Sequence, residues 1–123
     1  MRACRRIANN NPIRRNTSFF LERADTPEKA RIGLSKRTFL DEDKGMLFLS
    51  HDGVIAMWMK DTLIPLDMLF FNEQNRIVYI YTAKPLDLTA ISVDTPVSGV
   101  IELSGGICNK LGIKSGDSIL LIE

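Results

Sequence analysis

Short apolar runs, rich in β-branched and aromatic residues and separated by polar turns, are what most limits how this chain can fold. "TSFFLERA" (17–24), "GMLFLS" (45–50), "VIAMWMK" (54–60), "PLDMLFF" (65–71), "RIVYIYT" (76–82) and "VSGVIELS" (97–104) all have strand length, and "IKSGDSILLIE" (113–123) ends in another. Their spacing is that of hairpins, with no alternation of strands and long helices. Only two helices are expected, and both are short. Thr26 or Asp25 can cap the first, with Pro27 at its first position, Ala30 and Leu34 on its buried side and Gly33 stopping it. Ser104 can cap the second, in "GGICNKLG" (105–112), with Gly112 as its stop. The pattern predicts a mainly β (α+β) domain. It is expected as a small antiparallel β-barrel or half-barrel of about seven strands with two short helices.

No apolar run approaches the length of a membrane-spanning helix. Charge is unevenly spread. Residues 1–16 hold five arginines and no acid against a net +1 for the whole chain, which leaves residues 17–123 at −4. An acidic body weighs against nucleic-acid binding, which needs clustered Lys and Arg facing phosphates. The head, residues 1–16, is expected to be disordered: it is polar, contains Pro12 and lacks the apolar core of a signal peptide. It can also be read as an arm for an acidic partner, or as a leader that is degenerate or needs an upstream start. Residues 17–123 are expected to form one domain.

The cysteines, Cys4 and Cys108, are too few and too far apart for a disulfide framework. Cys108 reads as a small buried hydrophobe, and a nucleophilic pair with His51, the only histidine, has nothing local to support it. The acidic run Asp41, Glu42 and Asp43 reads as a solvated loop, without the alternating spacing of a calcium site. No metal or cofactor signature is visible, and no catalytic residue can be assigned.

The stretch "MWMKDTLIPLD" (57–67) is where chemistry is most concentrated. Alternation places Ile55, Met57 and Met59 on one face of a strand and Val54, Ala56, Trp58 and Lys60 on the other. With both faces largely apolar, this strand is expected to be central and covered on both sides. Lys60 then needs a partner. Asp61 is adjacent, Asp67 can return toward it across a turn, and Glu102 stands in an otherwise apolar strand with Ser98 and Val100 on its face. Thr62 can bond to free backbone groups of the turn. One reading is a polar corner, with a lysine–carboxylate pair locking the turn beside Trp58. The other is a shallow site in which Trp58 is a wall, Lys60 attracts an anion and Asp61 or Asp67 orients it.

From Thr26 onward the chain resembles the domain of unknown function (DUF) 192 family. The resemblance rests on "TPEKARIGL", "DEDKGMLFLS", "MWMKDTLIPLDMLFF", "RIVYI", "VIEL" with "GG", and "KLGIKSGD". It implies a small β-rich, mostly bacterial or archaeal domain, often exported, with no established reaction. Two positions depart from the family pattern: Ser35 stands where a Met is usual, and Asp61 where an Asn is usual. The binding candidates are therefore Trp58, Lys60, Asp61, Thr62, Asp67 and Glu102. The ligand or partner expected is a small molecule or a protein of unspecified kind. Binding is favoured over an enzyme that uses Lys60 with Asp61, Asp67 or Glu102 as acid and base, because no nucleophile–base pair or metal set is visible. As it stands the sequence points to the cytoplasm, whereas the resemblance implies a periplasmic or exported protein.

Overall fold

The computed structural model describes residues 2–8 and 17–121. Seven strands and two helices follow in the order β1 (Arg2–Ala8), β2 (Thr17–Arg23), α1 (Pro27–Ile32), β3 (Lys44–Leu49), β4 (Leu66–Phe71), β5 (Ile77–Ala83), β6 (Gly99–Ser104), α2 (Ile107–Leu111) and β7 (Ser118–Leu121). They make one sheet, ordered β5-β4-β6-β3-β2-β1-β7. Every pairing is antiparallel except β2 with β3, which run parallel across the connection that contains α1. The sheet curls until its two ends touch. Arg76 and Ser118 form a bridge, Ile77 N donates to Asp117 O at 2.9 Å, and Ile119 N donates to Asn75 O at 2.7 Å.

The inner strands β3, β4 and β6 are apolar on both faces and have a core on each. Leu47, Leu69, Phe71, Ile101 and Leu103 join Phe19, Leu21 and Ile119, and α2 adds Ile107 and Cys108 to this first core. The alternate residues Met46, Phe48, Leu66, Met68, Phe70 and Val100 face the other way, into a second core shared with Leu34, Met59, Ile91 and Val97. That second core is covered by loops. The long excursions between β3 and β4 and between β5 and β6 lie across it.

One expected strand is replaced by part of that cover. Residues 54–60 form no ladder with the sheet; Met57 makes a single bridge with Ile91, through hydrogen bonds of 2.8 and 2.7 Å. The expected alternation is present, with Met59 buried and Val54, Ala56, Trp58 and Lys60 exposed. The segment is therefore not a central strand covered on both sides, but an extended lid with one face on the core. Residues 51–53, "HDG", lead from β3 into the lid: Asp52 Oδ1 accepts from Val54 N at 3.0 Å, an Asx-type turn. The seventh strand comes instead from the basic head, where Arg2–Ala8 pairs with both β2 and β7. The rest of the head and the last two residues of the chain lie outside the described residues.

Both helices stop where expected, at Gly33 and Gly112. Thr26 caps α1, its hydroxyl accepting from Lys29 N at 3.0 Å. Among the described residues, no helix is long and apolar enough to cross a membrane.

Candidate functional site

Four of the six candidate residues line one cavity of about 310 Å³, between the end of α1 and the lid: Trp58, Lys60, Thr62 and Glu102. Leu34, Phe48 and Met57 supply apolar wall, and Arg31 of α1 contributes a second cation to the lining. Gly33 closes α1 at a positive φ (52°) that suits glycine, turning the chain so that the next residue, Leu34, drops into the second core.

Glu102 is the unusual member. Its neighbours across the sheet are Met46 on β3 and Met68 on β4, so its side chain enters the second core among apolar residues. It is 3% exposed, and among the described residues its carboxyl has no hydrogen-bond or ion-pair partner. Burial alone pushes its pKa up to about 8. At neutral pH the carboxyl is thus mostly protonated, with one donor and free acceptor capacity.

Lys60 and Trp58 form the cavity's outer edge. The ammonium lies 5.5 Å from the indole centre, a cation–π contact, and both residues are exposed. Thr62 is buried, and its hydroxyl donates to Lys60 O at 3.3 Å within the turn.

Asp61 and Asp67 do not join the cavity lining. Asp61 sits at the turn in a left-handed conformation (φ 56°), exposed, with its carbonyl accepting from Lys36 N at 2.7 Å. That conformation is adopted most readily by Gly, Asn and Asp, so the backbone accounts for a short polar residue at this position. Asp61→Gly should stabilise the protein by about 0.5–1 kcal/mol, and Asp61→Val should destabilise it by about 1–2 kcal/mol. Urea unfolding of the two variants checks both signs.

Asp67 corrects the expected partnership with Lys60. It is buried on the opposite side of β4, where Oδ1 accepts from Thr82 Oγ1 at 2.7 Å and Gly106 N at 3.0 Å, and Oδ2 accepts from Cys108 N at 2.9 Å. Asp67 therefore does the capping of α2 expected of Ser104. Beside it, Gly105 N donates to Pro65 O at 3.0 Å, and a side-chain carbon on Gly105 would fall 2.7 Å from Pro65 Cβ. The "PLD" and "GG" motifs are two halves of one clamp.

Cys108 lies in that clamp. Burial, with the Asp67 carboxylate beside it, pushes the thiol well above its usual range, which makes it a poor nucleophile. His51 is exposed, and no hydrogen bond joins it to Cys108 among the described residues. The acidic run is exposed as well, with Glu42 paired to Lys110 at 2.8 Å.

Arg31, Leu34 and Phe48 are among the lining residues that sequence reasoning missed. The first two lie in "TPEKARIGL", which signals a helix and its stop but not what the end of that helix faces. Phe48 is offset by an even number of residues from Met46, the cross-strand neighbour of Glu102, and that parity was the available signal.

Comparison with solved structures gives close matches in fold. One is a chain from Sinorhizobium meliloti 1021 described as a "putative transcription regulator". It is 32% identical, with 98% of this chain and 94% of that chain covered and a TM-score of 0.92. Another is a protein of unknown function from Novosphingobium aromaticivorans DSM 12444, also 32% identical, with 95% and 83% covered and a TM-score of 0.88. No curated protein is similar enough to count as a relative. The family model for DUF192, described as uncharacterised ACR, matches residues 9–121, nearly the whole length. The chain belongs to the DUF192 family.

Proposed function

We propose that this domain binds a small organic ligand in the cavity between α1 and the Trp58 lid. The observation that carries this reading is the Glu102 carboxyl, buried with no partner among the described residues, where an apolar side chain would complete the core. An unsatisfied buried polar group costs about 1–3 kcal/mol. A ligand that bonds to Glu102 recovers that cost, and Trp58 and Lys60 give such a ligand a wall and a charge.

The test is a thermal-shift screen of a broad fragment library on wild type, Lys60→Ala and Glu102→Leu. Glu102→Leu should melt higher than wild type without ligand and lose the ligand-induced rise in Tm, a trade of function for stability. Ligands that stabilise wild type and Glu102→Leu equally would sink this site.

A carboxyl that titrates near 8 also suits a general acid, so catalysis by Glu102 with Lys60 is the second reading. Neither Asp61 nor Asp67 lines the cavity to complete an acid–base set. Recovery of a bound compound chemically unchanged after long incubation separates binding from turnover. The description of the Sinorhizobium relative suggests gene regulation. With the whole chain at only +1, small-molecule binding is favoured over direct contact with nucleic acid.

A further inference from the structure

We infer that the cavity takes a small organic anion with an apolar body and a hydroxyl or carbonyl at its far end, the anion held by Lys60 and Arg31 and the far end hydrogen-bonded to Glu102. This assignment rests on the proposed reading of the cavity as a ligand site and adds the class of ligand.

Charge argues first. Lys60 and Arg31 both line the cavity and are exposed, and among the described residues neither has an ion-pair partner. Among the described residues the one acid in the lining is Glu102, which burial keeps mostly protonated near neutral pH. The cavity therefore presents net positive charge, which attracts a carboxylate or similar anion and repels an ammonium.

The interior argues second. Leu34, Phe48 and Met57 offer no polar side-chain group, and the buried Thr62 hydroxyl donates to Lys60 O, so the wall favours a ligand with an apolar middle. At the Glu102 end the partner must be polar but uncharged. A neutral carboxyl donates to a carbonyl or exchanges bonds with a hydroxyl, whereas a second charge there would be desolvated without compensation. The volume of about 310 Å³ is at the small end for ligand pockets. Metabolite-sized hydroxy- or keto-carboxylates meet all of these conditions.

Trp58 is the only tryptophan and forms part of the wall, so its fluorescence reports occupancy directly. The probes are a length series of ω-hydroxycarboxylates, with the unsubstituted alkanoates, α,ω-diols and ω-amino alcohols of the same chain lengths. At the best-fitting length the hydroxycarboxylate should saturate the Trp58 signal most tightly. Its advantage over the alkanoate should be about tenfold in wild type, one hydrogen bond's worth, and should persist in Glu102→Gln but vanish in Glu102→Leu. Arg31→Gln and Lys60→Ala should each weaken it about threefold to fivefold while leaving the diol unchanged. Circular dichroism of each variant confirms that it is folded.

Amino alcohols or diols that saturate Trp58 as tightly as the hydroxycarboxylate would overturn the anionic class and leave the site itself standing. Silence from the whole series would overturn this assignment. Silence that extends through the broad fragment library would overturn the ligand site as well.

Discussion

Glu102→Gln is expected to be progressively more stable than wild type as pH rises from about 5 to about 8. The carboxyl titrates at about 8 in the fold, against 4.5 for an unperturbed glutamate. Between those values the unfolded chain has released the proton and the folded protein still holds it. The stability contributed by the neutral form is therefore complete below 4.5 and is lost as pH climbs toward 8. The loss runs at about 1.4 kcal/mol per pH unit. Glutamine has nearly the same shape and does not titrate, and the other ionisable groups are common to both proteins. The gap between the two should widen across this window by roughly 3–5 kcal/mol, a large share of a small domain's stability. Urea midpoints measured at several pH values check it. Parallel stability curves for the two proteins would mean that the Glu102 carboxyl is solvated or paired in the fold.

Asp67→Ala should destabilise the protein by about 2–4 kcal/mol without affecting the ligand cavity. Its carboxylate is 1% exposed and accepts three hydrogen bonds, from Thr82 on β5 and from two amides at the start of α2. Removing it leaves those amides unsatisfied in a buried place, and each such loss costs about 1 kcal/mol or more. Asp67→Asn should fall between, because one amide oxygen can still accept while the amide nitrogen faces donors. Hydrogen exchange should localise the damage. The amides of Lys110 and Ile113, which donate to Gly106 O and Cys108 O, should lose protection before those of β3 do. Weakened ligand binding in a folded Asp67→Ala protein would contradict the separation of Asp67 from the cavity.

That separation could have been read from parity. Leu66, Met68 and Phe70 face the second core, and in a strand Asp67 must point to the opposite face. Lys60 belongs to the lid over that second core, so the two residues stand on opposite sides of the sheet. The sequence order, with only "DTLIP" between them, suggested a turn that would bring them together, but it says nothing about which face each takes.

The strands β2 to β7 were legible because their alternation and their turns agree. The lid was misread for a physical reason: an extended segment that covers a core has the same period of two as a strand within a sheet. Only the backbone pairing tells them apart, and periodicity does not report pairing. β1 was hidden for the converse reason, since its pairing is made by the backbone of a polar, arginine-rich stretch with no apolar pattern to announce it. Of the site, Trp58, Lys60, Thr62 and Glu102 were found as polar or aromatic residues out of place in apolar runs. Arg31 was not, because a helix of six residues shows too little periodicity to assign a face.

The proposed ligand site requires Glu102 to be a neutral carboxyl, unpaired among the described residues, at the cavity. NMR of its side-chain carboxyl carbon, followed through a pH titration of the ligand-free protein, measures this directly. A midpoint at about 8 is the predicted result; a midpoint near 4.5, that of an ordinary exposed glutamate, would contradict it.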